Sequence, residues 1–201
     1  MPNREVVMTV LFTAWEYEVT ILEFGSVIAS ILAIGLGIIG TRWAWPFWIL
    51  GSVLYGWLFL EFDLFASAAL QLIFIAAAIW GWFGWGAKGA QPKLLNNKNR
   101  TYWLLFAMIA WAGLNPILKE LGAVATYLDS FIFVGSLIAQ ILMVQQRIDA
   151  WVIWIAVDVV GTIHYARQEL YFTALFYAIL VLMATQGWIR WLKMNQKALK
   201  A

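Results

Sequence analysis

Residues 151–158 read Trp-Val-Ile-Trp-Ile-Ala-Val-Asp, inside an apolar run from about Ala150 to Tyr165. Trp151, Trp154 and Asp158 are spaced i, i+3 and i+7, so on a helix they share one face. A carboxylate in the middle of a membrane-spanning helix costs about 2.5–3.5 kcal/mol on insertion scales. A cationic ligand held between indole faces would offset that cost. The stretch therefore predicts a helix that binds a cation.

This stretch has a counterpart earlier in the chain. Trp45 and Trp48 are followed by Ser52, four residues after the second Trp, as Asp158 follows Trp154. The offset is 106 residues, the distance from Trp45 to Trp151, and it persists. It also pairs Phe65 with Tyr171, Gly81 with Gly187, Trp82 with Trp188 and Trp85 with Trp191. The chain therefore contains two copies, in the same order, of one unit of about 65 residues.

The composition is that of an integral membrane protein. Of the 201 residues, 64% are hydrophobic and 12% are charged, whereas water-soluble domains are about 45–50% apolar and about 25% charged. There is no cysteine and one histidine, which excludes a disulfide framework, a thiol nucleophile and a Cys- or His-based metal site. We therefore predict no catalytic residues, no metal, no cofactor and no nucleic-acid partner.

Seven apolar segments approach the length that spans a bilayer, about 17–25 residues. Their approximate bounds are 21–40, 44–60, 64–84, 102–118, 130–146, 150–166 and 170–190. Most connections are short, but the one from about Gly86 to Arg100 is long and polar. We predict an all-α membrane protein with seven transmembrane helices, arranged as three helices, one linker helix and three helices. Such a parallel repeat about an axis along the membrane normal occurs in some transporters.

The domain boundaries follow from this plan. Residues 1–20 form an N-terminal interfacial segment, with a short interfacial helix over about Val6 to Trp15 and charges that argue against a secretory signal peptide. Residues 21–85 form the first three-helix repeat, and 86–126 form a cytoplasmic loop and the linker helix. Residues 127–201 form the second three-helix repeat and a cytoplasmic C-terminal tail.

The lysines and arginines predict the orientation, because cytoplasmic flanks carry the excess of these residues. Three of them fall on one side of the membrane: Arg4, Lys119 and Arg167. Ten fall on the other: Arg42, Lys88, Lys93, Lys98, Arg100, Arg147, Arg190, Lys193, Lys197 and Lys200. We therefore predict a cytoplasmic C-terminus and an N-terminus outside.

Four features carry a family resemblance: the repeated Trp-x-x-Trp, the Leu-Tyr-Phe-Thr-Ala-Leu run at 170–175, the pair Leu70-Gln71, and the closing Gly-Trp pairs at 81–82 and 187–188. Together they resemble the Pnu family of bacterial vitamin transporters, over nearly the whole chain. The resemblance implies a fold similar to the SWEET sugar transporters, in the bacterial inner membrane, and trimers occur in the family. It also implies facilitated diffusion, made one-way by a cytoplasmic kinase that phosphorylates the vitamin. We expect alternating access, in which the two copies rock against one another.

The branch of the family is indicated by two positions. Nicotinamide riboside transporters of the PnuC type carry Asn four residues after the second Trp, and again in the matching place of the first copy. This chain has Asp158 and Ser52 there, so it is more similar to the thiamine-transporting PnuT branch. The embedded polar residues are few, with no Asn at mid-depth, and thiamine needs fewer hydrogen-bond partners than a riboside. We predict thiamine as the substrate, with nicotinamide riboside as the alternative.

The predicted substrate site lies near mid-membrane at the interface of the two copies. Its residues are Trp48, Ser52, Gln71, Gln140, Trp151, Trp154, Asp158 and Tyr177. Structural alternatives stand beside this interpretation. Trp45 and Trp151 are alternatively interfacial anchors, and Gln71 and Tyr177 are alternatively contacts that hold helices together.

Asp158 also has an alternative role, as a structural hydrogen-bond partner of Thr162, His164 or Tyr177. We expect His164 to be a local partner, and Glu23 and Asp129 to stabilise the ends of their helices. An enzyme is disfavoured because Asp158 and His164, six residues apart, lie on nearly opposite sides of a helix and make a poor acid–base pair. A scaffold would not require the duplicated Trp face, so a transporter is the prediction.

Overall fold

The computed structural model describes residues 9–14, 16–61, 65–120, 127–169 and 171–200. Residues 6–8 and Trp15 of the predicted N-terminal helix, together with Arg4 and Leu170, lie outside these ranges. The chain divides into two compact units, Met1–Ala90 and Gln91–Ala201. Each unit is a set of packed helices, and the first also holds a β-hairpin.

The first unit begins with an antiparallel hairpin of β1 (Val10–Ala14) and β2 (Tyr17–Thr20). The predicted interfacial helix is therefore wrong for residues 10–14. β-branched and aromatic residues dominate both segments and favour a strand, and a helix this short is marginal without packing. The Tyr17 hydroxyl donates a 2.9 Å hydrogen bond to the Glu23 carboxylate. Burial, and then the Glu23 charge, raise the pKa of the Tyr17 phenol, so it stays protonated and keeps donating.

Three helices complete the first unit: α1 (Ile21–Ile39), α2 (Ala44–Glu61) and α3 (Phe65–Trp85). Thr20 caps α1 by accepting from the Glu23 backbone N–H at 3.2 Å. Gly40, at φ 82°, ends α1 in the left-handed conformation that glycine adopts at helix ends. The helices pack in sequence, α1 on α2 and α2 on α3.

The second unit consists of α4 (Asn97–Glu120), α5 (Tyr127–Val144), α6 (Asp149–Arg167) and α7 (Tyr171–Lys200). Each of the seven predicted segments corresponds to one helix, although α1 and α5 end one and two residues before the predicted bounds. The helix α7 runs ten residues past the predicted end at residue 190, because hydropathy marks only its apolar part and Lys, Gln and Ala continue a helix well. Among the described residues, four helices are long and apolar enough to cross a membrane, namely α1, α3, α5 and α7.

The long polar connection is fastened to the second unit. The Lys93 N–H donates to the Gln146 carbonyl at 3.0 Å, and the Lys93 carbonyl accepts from the Ile148 N–H at 3.1 Å. The Asp149 carboxylate accepts from the Leu95 N–H at 2.8 Å and from Arg100 Nε at 2.7 Å. The predicted loop is therefore an ordered strap along the turn between α5 and α6.

The same contacts occur inside each unit at the 106-residue offset. The N–H of Thr41 donates to the Leu36 carbonyl at 3.2 Å, and that of Arg147 donates to the Leu142 carbonyl at 2.8 Å. Gly40 and Gln146, at the equivalent position, both have positive φ. The duplication seen in the residues thus extends to the turn geometry of each unit.

At one pair of equivalent contacts, the glycine lies on the second helix of the first unit but on the opposite partner helix in the second unit. In the first unit Gly51 on α2 lies opposite Ala29 on α1, with 3.7 Å from an added Cβ to the Ala29 Cβ. In the second unit the small residue is Gly135 on α5, and Val157 on α6 lies opposite. The helices can approach closely because one residue of each pair lacks a side chain.

We expect Gly135→Ala to destabilise the fold by about 1–3 kcal/mol, the usual cost of overpacking. The added Cβ would lie 2.5 Å from Val157 Cγ2 but 3.9 Å from Val157 Cβ. Adding Val157→Ala removes the clashing methyl groups, so the double variant should recover most of the loss. Thermal unfolding in detergent measures this, and a double variant less stable than either single variant would contradict the packing described.

Candidate functional site

Asp158 is the middle residue of α6 and is 3% exposed. Within the described part of the chain, its carboxyl group has no hydrogen-bond or ion-pair partner. The Thr162 hydroxyl donates at 2.8 Å to the backbone carbonyl of Asp158 and not to its side chain. His164 is engaged with Asp129. The Tyr177 phenol is hydrogen-bonded to Tyr165. The alternative of a structural hydrogen bond from Thr162, His164 or Tyr177 is therefore wrong, and a buried carboxyl group is left for another partner.

Tyr177 lies beside this part of α6. Its ring occupies the space that a side chain on Gly161 would fill, and Gly161 is one turn from Asp158 on the same helix. The Tyr177 ring also packs on Tyr165, with 5.0 Å between centroids, and the two phenols are hydrogen-bonded. The structure thus brings Tyr177 within about one helical turn of Asp158, along the groove between α6 and α7.

Gln140 on α5 is fully buried, at 0% exposed, and neither its amide oxygen nor its amide nitrogen has a partner among the described residues. Contacts of Gly135 with Val157 and of Asp129 with His164 set the antiparallel register of α5 and α6. That register puts Gln140 level with the stretch between Trp151 and Trp154. An unsatisfied buried amide next to the aromatic part of α6 suits a polar ligand group, because leaving it unpaired costs about 1–3 kcal/mol.

The two indoles of α6 differ in their surroundings. Trp151 is 2% exposed and lies against Gly187 on α7, where an added Cβ would be 2.6 Å from its ring. It also meets Trp191 edge to face, with centroids 5.5 Å apart. Trp154 is half-buried, one turn from Asp158. Trp151 therefore holds α6 against α7, and Trp154 is the more accessible aromatic side chain.

The first unit has the same packing of a tryptophan against a glycine, but Ser52 replaces the carboxyl group of Asp158. Trp45 is buried against Gly81 and meets Trp85 edge to face at 4.8 Å. The interfacial-anchor alternative is thus wrong for Trp45 and for Trp151, because both indoles are inside their units. Ser52 is buried at the position equivalent to Asp158, and Trp48 is half-buried one turn before it.

Gln71 on α3 packs beside Gly56 on α2, with 3.5 Å from an added Cβ to the Gln71 Cβ. Its equivalent in the second unit is Tyr177, which likewise packs beside a glycine of the preceding helix. The predicted site residues therefore fall into two sets, with Trp48, Ser52 and Gln71 in the first unit. The second unit holds Gln140, Trp151, Trp154, Asp158 and Tyr177.

A separate hydrogen-bonded cluster lies where α5 begins and α6 ends. His164 Nε2 is 3.0 Å from Asp129 Oδ1 and 3.0 Å from Gln168 Nε2. The expectation that His164 is a local partner is confirmed. The expectation that Glu23 and Asp129 lie at helix starts also holds, since each falls in the first turn of its helix.

One of the buried polar residues outside the predicted site is an asparagine. Asn115 on α4 is 1% exposed and precedes Pro116. The signal was available, since a lone asparagine beside a proline in an apolar helix marks a place where the backbone hydrogen bonding is interrupted. Among the described residues, no cluster of three or more His, Asp or Glu side chains could hold a metal ion.

The chain has apolar helices with a carboxyl group, amides and aromatic rings buried among them. Polar residues inside membrane-spanning helices are typical of transporters, where they mark the substrate pathway. The chain belongs to the nicotinamide mononucleotide transporter family, whose model matches residues 20–193. The resemblance to Pnu-type vitamin transporters is thereby confirmed. The protein is a multi-pass membrane transporter of a vitamin and not an enzyme.

Two relatives have different named substrates. The nicotinamide riboside transporter PnuC of Escherichia coli K12 is 25% identical, over 94% of this chain and 92% of the relative. The riboflavin/roseoflavin transporter RibM of Streptomyces davaonensis is 28% identical, over 83% of this chain and 82% of the relative. A crystal structure of the vitamin B3 transporter PnuC matches with a TM-score of 0.73 at 19% identity, over 88% of this chain and 82% of that chain. This last likeness shows the shared fold.

Proposed function

We propose that the protein transports nicotinamide riboside, and that Asp158 is the partner of the positively charged pyridinium ring. The observation that carries the proposal is the buried Asp158 carboxyl group, which has no partner within the described residues. The near full-length similarity to a transporter named for nicotinamide riboside supports the choice of substrate. The order of the two candidates is therefore the reverse of the one that the sequence suggested.

The chemistry of the second unit suits this substrate. A cation beside Asp158 lowers the free energy of an ionised carboxylate in an apolar interior, where Coulomb attraction is stronger than in water. Trp154, one turn away, offers an indole face worth about 0.5–2 kcal/mol to a cation. Gln140 has free amide groups for ribose hydroxyls or the carboxamide. Tyr177 lines the same helix pair, and Trp151 positions α6.

Thiamine is the second candidate, and one observation favours it. Asp158 and Ser52 stand where nicotinamide riboside transporters of this family are expected to carry asparagine. The thiazolium of thiamine has the same fixed positive charge and needs the same carboxylate. The roles of Trp48, Ser52 and Gln71 in the first unit are also part of the proposal, for either substrate.

The transport mode is proposed on the family resemblance. We infer facilitated diffusion with alternating access, followed by phosphorylation of the vitamin in the cytoplasm. We also propose the three-one-three organisation, with α1–α3 and α5–α7 as the repeats and α4 as the linker, supported by the contacts that recur at the 106-residue offset. The orientation, with the C-terminus in the cytoplasm of the bacterial inner membrane, and a trimeric assembly belong to the same proposal.

Uptake into liposomes tests the substrate directly. We expect proteoliposomes to take up labelled nicotinamide riboside saturably without an ion gradient, and to exclude riboflavin, which carries no fixed positive charge. Protein-free liposomes are the control. Saturable uptake of thiamine alone would select the second candidate, and uptake of riboflavin alone would contradict the role of Asp158 as a cation partner.

A further inference from the structure

The last helix is longer than a bilayer requires. The helix α7 has 30 residues, and about 20 residues at 1.5 Å each cross the hydrocarbon core. Counted from Tyr171, the crossing ends near Arg190, where Trp188 and Ile189 are exposed. Trp is enriched at this level of a membrane protein, where the hydrocarbon meets the headgroups. The remaining turns, to Lys200, therefore continue through the headgroup layer.

These last turns carry a stripe of cations, defined here as Arg190, Lys193, Lys197 and Lys200. All four are exposed, and at 100° per residue they fall within an arc of about 80° on one face of the helix. No acidic residue occurs between Tyr171 and Lys200. Within the described residues none of the four forms an ion pair, so their charge is available to a partner.

The opposite face of the same turns is fixed to the second unit. Trp191 is fully buried against Trp151. One turn further, Asn195 Nδ2 donates to the Pro92 carbonyl at 2.8 Å. On the helical wheel both residues lie more than a quarter-turn away from the stripe. The helix is therefore held with its cations directed away from the unit that contains it.

We propose that this stripe binds the headgroup phosphates of anionic phospholipids in the leaflet at this end of α7. The cations begin at the level where the hydrocarbon ends and continue along the helix axis, which is where lipid phosphates lie. Basic residues next to a membrane-spanning helix are attracted to anionic lipid in this way. Binding of a soluble anion would not explain why Arg190, the first cation of the stripe, lies where the membrane-spanning part of α7 ends. The inference is independent of the transported vitamin.

Binding of fluorescent phosphatidylglycerol to the purified full chain in uncharged detergent tests the proposal, with phosphatidylcholine as the neutral lipid. We expect the native chain to prefer phosphatidylglycerol. The variant Lys193→Gln/Lys197→Gln/Lys200→Gln should lose about fivefold in affinity for each cation removed. The matched control is Lys88→Gln/Lys93→Gln/Lys98→Gln, which removes the same charge from the polar connection and the first turn of α4 and should bind within about twofold of the native chain.

Three results would overturn the proposal. One is an equal loss of affinity in both triple variants, which would mean that net charge alone attracts the lipid. The second is an unchanged affinity in the α7 variant. The third is competition by glycerol phosphate at the same concentration as the lipid, which would mean that the stripe binds a free phosphate. Equal thermal unfolding midpoints of the three proteins establish that each variant is folded.

Discussion

Asp158→Asn should weaken the binding of nicotinamide riboside by about 10- to 100-fold without destabilising the fold. A hydrogen bond or contact with a charged group contributes about 1.5–3 kcal/mol, which corresponds to this range. The amide keeps the size of the side chain but removes the charge that attracts the pyridinium. Stability should be unchanged or higher, because the carboxyl group has no partner among the described residues that the substitution would orphan.

Titration calorimetry and thermal unfolding of the same preparations measure both effects. Asp129→Asn is the matched control, since Asp129 is an acid of the same unit whose carboxylate meets His164 at 3.0 Å. We expect the control to show the reverse pattern, a lower unfolding midpoint with nearly native affinity. If both variants bound the substrate as the native chain does, Asp158 would not be part of the site.

Gly187→Ala should destabilise the second unit by about 1–3 kcal/mol or more, the cost of forcing a side chain into a filled space. The added Cβ would lie 2.6 Å from three atoms of the Trp151 ring. The ring cannot move aside freely, because it is buried and packed edge to face against Trp191. Separation of α6 from α7 would also displace the turn that carries Trp154, so substrate affinity should fall as well.

Gly113→Ala is the control for this substitution. No atom lies within 4 Å of a Cβ added there, so the change should stabilise α4 slightly, by up to about 1 kcal/mol, through the better helix propensity of alanine. Chemical unfolding in mild detergent compares the two variants. A Gly187→Ala protein as stable as the Gly113→Ala protein would show that Trp151 is not wedged between the helices.

Much of the helical plan could be predicted from the residues, because apolar segments of sufficient length report helices in a membrane directly. The β-hairpin could not be predicted in this way. Its strands are four and five residues long, and over such lengths local preference for helix or strand is weak. The hairpin is held by contacts with α1, including the ring contact of Phe12 with Phe24, and such tertiary contacts are not visible in the local pattern.

The candidate site was predicted in part. The spacing of Trp151, Trp154 and Asp158 placed them on one face of α6, as the helix confirms. The different surroundings of the two indoles depend on the register between α6 and α7, which sets Gly187 beside Trp151. Sequence spacing within one helix carries no information on that register. The repeat paired Gly187 with Gly81, but only packing shows that each glycine accommodates a tryptophan of the preceding helix.

The choice between the two vitamins also depends on packing between helices, which the sequence does not show. Two positions, Asp158 and Ser52 in place of expected asparagines, pointed to thiamine, whereas similarity over nearly the whole chain favours nicotinamide riboside. Both substrates carry a fixed charge, so a buried acid attracts either of them. Gln140 and Tyr177, which are proposed to select between a riboside and a pyrimidine, lie on α5 and α7, and spacing along α6 does not show where they meet that helix.

The role of charge is tested most directly by comparing two forms of one ligand. Nicotinamide riboside and its dihydro form have nearly the same shape and the same sugar, but only the oxidised form carries the positive charge. We expect the native chain to bind the oxidised form at least about tenfold more tightly, as a charge-assisted contact requires. Equal affinity for the two forms would contradict the assignment of Asp158 as the partner of a cationic ring.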